Sequence, residues 1–189
     1  MGTCESKNNQ SEFPNSEIIP LNKVLKSICK IIINGNGGKS VTGTGFLLKF
    51  HKEEKLFYCL MTNEHIIDKK IIESNSKIEI SYDFEEKKKI IDLKWWERFI
   101  ECYKNIDIAI VEILKEDNIE EKYFLLPYLD YNNLNDKKIY IPQYPKGEIL
   151  SIAKGEILKI KKYEITHKAS TQSGSSGSPI FLEGTNKVS

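Results

Sequence analysis

Between Leu21 and Leu182 the chain sets its apolar residues in short runs, interrupted about every ten residues by charged turns or turns bearing Gly and Asn. "SICKIIIN" (27–34), "GTGFLLKF" (43–50) and "LFYCLMT" (56–62) read as strands. "NGNGG" (34–38), rich in residues that tolerate positive φ, turns the chain between the first two, and the charged "HKEEK" (51–55) turns it between the second and third. "KIEISYDF" (77–84) alternates apolar and polar positions at period two, and "KKKIIDLKWW" (87–96) and "DIAIVEI" (107–113) continue the series. After a crossover in "KEDNIEEKYFLLPYL" (115–129) the pattern restarts with "KKIYIPQY" (137–144), "EILSIAKGEILKIKKYEI" (148–165) and "SPIFLEG" (178–184). No helical stretch of any length precedes residue 115. Strands spaced in this way predict an all-β fold closed into a tandem double β-barrel. The expected organisation is a flexible tether over 1–20, an N-terminal barrel over 21–115, a crossover over 116–130 and a C-terminal barrel over 131–189.

Composition agrees with a folded chain. At 189 residues, 40% hydrophobic and 10% aromatic, it can bury one sizeable core or two small ones. Its 28 basic and 27 acidic residues are spread along the chain, so no basic stripe points to nucleic acid. No apolar run approaches the roughly 20 residues of a membrane span, and no signal-peptide core opens the sequence; an intracellular, cytoplasmic location is expected. Cys4, Cys29, Cys59 and Cys102 show no CxxC spacing and read as free thiols rather than a disulfide or metal framework.

The N-terminal "MGTCES" adds a membrane to this picture. Gly2 with Ser6 fits the N-myristoylation pattern M-G-x-x-x-[ST]. One acyl chain gives only marginal membrane binding, and Cys4 offers a site for a second. The expectation is lipidation at Gly2 and Cys4, holding the chain at the cytoplasmic face of a membrane. The plain alternative is a solvated tail that matches the pattern by chance.

The stretch "TQSGSSGSPIF" (171–181) is either a linker or a tight turn that presents one hydroxyl. The chain has three His residues from which a base could come. His51 falls in a charged turn, where a solvated role is expected, and His167 reads as a strand or surface residue. His65, in "CLMTNEHIID" (59–68), stands just past the end of a strand and one turn into a short helix, where a base can meet a nucleophile from another segment. Residue order then discriminates among triads. A GxSxG elbow is excluded because Ser178 stands where its second Gly is needed and no His follows Ser176. The Asp-His-Ser order fails because no Asp precedes Asp68. The His-Asp-Ser order survives. Of the Asp residues after His65, only Asp107 opens a strongly apolar strand, where burial would fix a carboxylate beside an imidazole.

In order, "GTGFLL", "TNEHII", "NIDIAIVEI" and "SGSSGSPIF" resemble the trypsin-like serine peptidases of chymotrypsin fold, above all the disulfide-free branch with HtrA and glutamyl-endopeptidase relatives; the likeness spans residues 27–182. It implies His65 as general base, Asp107 as its orienting carboxylate and Ser176 as nucleophile, with the N–H groups of Gly174 and Ser176 as oxyanion hole. It also implies protein or peptide substrates, an acyl-enzyme intermediate, and neither metal nor cofactor. Ser175 stands where secreted trypsins carry an Asp. Ser170 corresponds to the base of the substrate pocket, where a neutral residue disfavours Arg and Lys. The sequence stops thirteen residues past Ser176, whereas family members continue with a strand pair. The second barrel is therefore expected to be incomplete at its C-terminus, with an open edge. A non-catalytic peptidase-like domain that binds peptides or a partner is the alternative to a peptidase.

Overall fold

The computed structural model describes residues 20–34, 40–74, 76–128, 134–162 and 164–184. Seven strands form one antiparallel sheet: β1 (Ile28–Asn34), β2 (Ser40–Lys52), β3 (Lys55–Thr62), β4 (Lys77–Tyr82), β5 (Lys87–Asp92), β6 (Ile100–Tyr103) and β7 (Ile108–Glu112), in the order β5-β4-β1-β2-β3-β7-β6. Four more form a second sheet: β8 (Lys138–Gln143), β9 (Ser151–Lys161), β10 (Glu164–His167) and β11 (Phe181–Leu182), in the order β10-β9-β8-β11. The architecture is the all-β tandem arrangement of the chymotrypsin type, and among the described residues β10 and β11 are the outer strands of the second sheet.

The 13-residue strand β2 belongs to two pairings. Its first half pairs with β1 (Ile31↔Gly43) and its second half with β3 (Leu48↔Cys59), so a single strand turns the corner of the first sheet. Period-two alternation divides its side chains between two cores. Leu47 points into a cluster with Cys29, Ile31, Leu60, Ile78, Ile80 and Val111, all fully buried. Its neighbours Phe46 and Leu48 point the other way, onto Val24, Ile28, Leu125, Tyr140, Tyr144 and Phe181, and this second cluster joins the two sheets. The rings of Tyr140 and Phe181 stack there with centroids 5.1 Å apart. A third cluster, including Leu134, Ile139, Ile141, Ile157, Ala169 and Leu182, fills the second sheet.

The structure corrects the sequence reading in five places. Two five-residue helices, α1 (Leu21–Leu25) and α2 (Lys69–Glu73), precede residue 115. The helix after β3 begins at Lys69, because the Asp68 carboxylate accepts from the Ile71 N–H and caps it there; His65 lies in the turn before it. The run from 148 to 165 is two strands, divided where Lys162 takes φ +55°. Strand β6, too short and polar to stand out in the sequence, pairs with β7 over four residues (Ile100↔Val111 to Tyr103↔Ile108). His51 lies at the exposed end of β2 rather than in the turn. "NGNGG" falls almost wholly outside the described residues.

The crossover docks onto the first sheet through two buried polar groups. Arg98 forks onto Asp117 (Nη1 to Oδ2 2.9 Å, Nη2 to Oδ1 3.2 Å), and its Nη1 also donates to the Glu112 carbonyl. Tyr123 donates its hydroxyl to Asp83 Oδ2 at 2.7 Å, and Lys26 Nζ lies 2.9 Å from the other oxygen. The Lys26 ammonium and the Tyr123 hydroxyl hold the Asp83 carboxyl below the usual carboxylate range, although burial pushes the other way. A carboxylate with its folded value lowered contributes stability that is complete above the unfolded value near 4 and disappears as pH falls through the folded value. Asp83→Asn is therefore expected to cost about 1–2 kcal/mol at pH 7, a gap that closes below about pH 4. Urea midpoints of the two chains measured at pH 7, 4 and 2.5 check it; a gap that stays constant through acid would show that Asp83 is not the linked group.

Candidate active site

The sheet register brings His65 to Asp107. Strand β3 pairs with β7 in the register Met61↔Ile110 and Thr62↔Ala109, so the residues just past the end of β3 face those just before β7. Beyond Thr62 the chain makes one turn, closed by the Ile66 and Ile67 N–H groups on the Asn63 carbonyl (3.2 and 3.3 Å). The Asn63 side chain reaches across and donates from Nδ2 to the Asp107 carbonyl at 2.7 Å. Asp107 has φ +53°, a left-handed conformation that Asp adopts more readily than most residues. This turns its carboxylate back over β3, where Oδ1 accepts the His65 backbone N–H at 3.0 Å and Oδ2 lies 2.7 Å from Nδ1 of the His65 ring. The pair is half open to solvent, with side-chain exposures of 52% for His65 and 44% for Asp107, where the sequence reading expected a buried carboxylate. Among the described residues no hydrogen bond joins the His65 ring to Ser176.

Ser176 lies on the loop between β10 and β11, and that loop is fastened to the first sheet through Thr44 of β2. The fully buried Thr44 donates its N–H to the Ser176 carbonyl (2.8 Å) and its hydroxyl to the Gly174 carbonyl (2.8 Å), and its Oγ1 accepts from the Tyr144 N–H (3.0 Å). Thr62 Oγ1 donates to the Thr44 carbonyl at 2.7 Å. The loop is also pinned internally. The Ser175 N–H donates to the Gln172 carbonyl, the Ser175 hydroxyl accepts from the Gln172 N–H, and Ser178 donates twice to the Ser175 carbonyl.

Two glycines make this path possible. Gly174 has φ +89°, and a Cβ there would lie 2.6 Å from the Tyr144 carbonyl oxygen and 2.7 Å from the Gly147 nitrogen. Gly177 has φ +87°, and a Cβ there would lie 2.0 Å from the Thr44 carbonyl oxygen and 2.2 Å from Thr62 Oγ1. Among the described residues the N–H groups of Gly174 and Ser176 donate to no acceptor. The sequence singled out the Ser-Gly loop but not Thr44 or Thr62; "GTGF" read only as strand, with nothing local to say that its Thr was a tie between sheets.

Beside Ser176 opens a cavity of about 220 Å³, lined among others by Asn63, Ile141, His167, Thr171, Gln172 and Ile180. Ser170, expected at the base of a substrate pocket, is not part of this lining. It is exposed, its carbonyl accepting from Gln143 Nε2 at 3.1 Å, and its neighbour Ala169 points inward instead. His167, read as a strand or surface residue, does lie in β10 and lines the cavity. A second cavity of about 380 Å³ runs from Asp107 between the 104–107 turn and Lys161, Lys162 and Glu164.

Burial pushes the Cys29 thiol far up, Cys59 up to about 12 and Cys102 up to about 11, which keeps all three as thiols at neutral pH. Among the described residues no three His, Cys, Asp or Glu side chains are grouped to hold a metal ion, and no helix is long and apolar enough to cross a membrane. Gly2 and Cys4 lie outside the described residues.

Residues 43–188 match the family model of the trypsin-like peptidase domain. The sequence matches none of the curated proteins. Among solved structures, the fold is similar to the active form of the Rv3671c protease from M. tuberculosis, at 16% identity and a TM-score of 0.65, with 92% of this chain and 71% of that one covered. It is also similar to the HtrA-type protease AlgW with tripeptide, at 14% identity and a TM-score of 0.63, covering 88% of this chain and 51% of that one. The serine endoprotease from Yersinia pestis aligns at 12% identity and a TM-score of 0.62, over 90% of this chain and 56% of that one. The chain thus spans between about half and seven tenths of these proteins.

Proposed function

The chain belongs to the trypsin-like peptidase domain family, and from that premise we propose that it is a serine endopeptidase acting on protein substrates through His65, Asp107 and Ser176. The observation that carries this reading is the 2.7 Å contact of His65 Nδ1 with Asp107 Oδ2, formed by residues just past β3 and just before β7, 42 positions apart in the sequence. A carboxylate on Nδ1 holds the ring in the tautomer whose Nε2 is free to take a proton.

In the proposed cycle Ser176 Oγ attacks the substrate carbonyl carbon while His65 Nε2 takes the hydroxyl proton, and the imidazolium that forms is stabilised by Asp107. The carbonyl oxygen becomes an oxyanion and accepts from the N–H groups of Gly174 and Ser176, which donate to no acceptor among the described residues. Each such donor contributes on the order of 10²–10³ in rate. His65 then gives its proton to the departing amine, leaving Ser176 acylated. Water, deprotonated by the same nitrogen, attacks the ester and regenerates Ser176 with release of the acid.

A second reading, a peptide-binding domain without turnover, is favoured by the 44% exposure of the Asp107 side chain, because solvent weakens its hold on an imidazolium. Labelling with a fluorophosphonate probe separates the two, since the probe reacts with an activated serine and not with a passive one. The peptidase reading expects one adduct per chain on Ser176, located by peptide mapping and missing from Ser176→Ala and His65→Ala. A folded chain that takes up no probe, or takes it up elsewhere, would leave the binding reading in its place.

A further inference from the structure

We infer that Trp95 and Trp96 dock this domain on a lipid bilayer, with the candidate active site facing away from the lipid. Both lie in the turn between β5 and β6, where the Glu97 and Arg98 N–H groups donate to the Lys94 carbonyl (2.9 and 3.2 Å). Their indoles are 60% and 55% exposed and meet edge to face, with centroids 5.7 Å apart. Arg98 at the end of the turn is buried and forked onto Asp117, so the turn is fixed and holds both rings outward. Two adjacent indoles kept in water by a fixed turn mark a contact surface.

Neighbouring side chains extend this surface. Phe99, next after the turn, lies 5.6 Å from Phe57, and Phe57 stacks on Phe50 at 6.1 Å; all three are half-buried. Lys52 Nζ sits 4.8 Å from the Phe99 centroid and Lys55 Nζ 4.3 Å from that of Phe57. Aromatic rings edged by ammonium groups suit the headgroup level of a bilayer, where the indole N–H finds polar partners and the ring finds carbon. The charges do not sum to a basic patch. Lys52 and Lys55 stand beside Glu53 and Glu54, and Lys94 pairs with Asp92 and Glu97. The rings therefore supply the affinity, not attraction to anionic lipid.

The path of the chain points to lipid as the occupant. The 19 residues ahead of Pro20 lead into α1, whose Val24 packs in the cluster that contains Leu48 and against which Phe50 rests. That segment thus joins the domain at the aromatic end of β2. It carries the acylation pattern at Gly2 and Cys4, and fully extended it reaches roughly 60 Å, enough for an acyl group and the indoles to meet one bilayer. A single acyl chain holds only marginally, so a second contact decides whether the domain stays. The strands set the orientation. From Phe57 to Thr62, β3 covers roughly 17 Å, with His65 beyond it. Asp107 stands at the start of β7, and Glu112 at its far end donates its N–H to the Phe99 carbonyl. A bilayer under the aromatic end leaves His65 and Asp107 open to proteins in solution.

The chain has two tryptophans, so its tryptophan emission reports on this face alone. For the test the full chain carries an N-terminal polyhistidine tag, which ties it to phosphatidylcholine vesicles bearing a nickel-chelating lipid at the end where acylation is expected. Emission is expected to move to shorter wavelength on tethering, and to be quenched further when the lipid tails are brominated. With plain phosphatidylcholine vesicles, the double variant Trp95→Ala, Trp96→Ala is expected to partition about 10- to 100-fold more weakly than wild type, with its thermal midpoint nearly unchanged. Emission that stays that of tryptophan in water on the tethered chain overturns the inference, as does equal partitioning of the double variant. Emission already shifted before lipid is added, in a chain that sediments as a dimer, gives the face to a second copy and also overturns it. Fluorophosphonate labelling of Ser176 is read separately, so the peptidase reading stands or falls by itself.

Discussion

Asp107→Asn is expected to lower kcat/KM by about 10³- to 10⁴-fold while leaving the thermal midpoint nearly unchanged. The two effects separate because the Asp107 side chain does two jobs with different chemistry. As a hydrogen-bond acceptor it holds the His65 backbone N–H through Oδ1 at 3.0 Å, and an Asn carbonyl oxygen can do the same. The backbone asks for φ +53°, which Asn tolerates as well as Asp, and the clamp from Asn63 Nδ2 goes to the main-chain carbonyl, which the substitution keeps. The contact with Nδ1 is different. An Asn amide placed at Oδ2 presents N–H groups to the ring, which then offers Nδ1 as acceptor and carries its proton on Nε2, the position that must be empty to accept from Ser176. The negative charge that stabilises the imidazolium is also lost. Because the pair is about half exposed, its direct contribution to folding is small, within about 1 kcal/mol. Steady-state kinetics beside a thermal melt checks both halves, and a variant retaining more than a tenth of wild-type kcat/KM would show that this carboxylate is not orienting the ring.

The second large effect is expected at Gly177, where alanine should cost about 3–5 kcal/mol of stability and abolish labelling of Ser176 in whatever chain remains folded. Two costs add. The left-handed φ of +87° is unfavourable for any residue with a Cβ, by about 1–2 kcal/mol. The new methyl would also meet the Thr44 carbonyl oxygen at 2.0 Å and Thr62 Oγ1 at 2.2 Å, two atoms already bonded to each other at 2.7 Å. Neither can retreat cheaply, since Thr44 also holds the Ser176 carbonyl, the Gly174 carbonyl and the Tyr144 N–H. The displacement therefore passes directly to Ser176, the candidate nucleophile, and to both candidate oxyanion donors. Gly184 provides the contrast. It too has positive φ, +89°, but nothing lies within 4 Å of the position its Cβ would occupy, so Gly184→Ala isolates the backbone cost alone. Denaturant melts of the two variants should differ by about 1–3 kcal/mol. Equal midpoints would mean that the loop yields and the clash is relieved elsewhere.

Much of this was legible in the chain itself, for reasons that lie within a few residues. Alternation at period two marks β4, because a strand with one buried face must write that period into its sequence, while β1, β2 and β3 stand out as short apolar runs between turns. The Ser-Gly loop stands out because a path through positive φ with backbone packed against it admits only glycine at 174 and 177. Residue order alone was enough to set aside two of three triad arrangements. Strand β6 was missed because none of its residues is fully buried, so its faces carry no clear alternation. The division of the 148–165 run was missed because a tight turn at Lys162, with φ +55°, can be made by a residue that carries no turn signal of its own.

What the sequence by itself determined is most of the strands and which residues are candidates for the chemistry, since each depends on contacts or dihedrals local to its own segment. The tertiary structure decided which of them meet. The register of β3 on β7 puts Asp107 over His65, and one buried Thr44 ties the Ser176 loop to the first sheet. His167 lines the cavity beside Ser176, and Ser170 lies outside it. Register is a property of two strands at once and is set by the whole buried face they share, so no single stretch of the chain contains it.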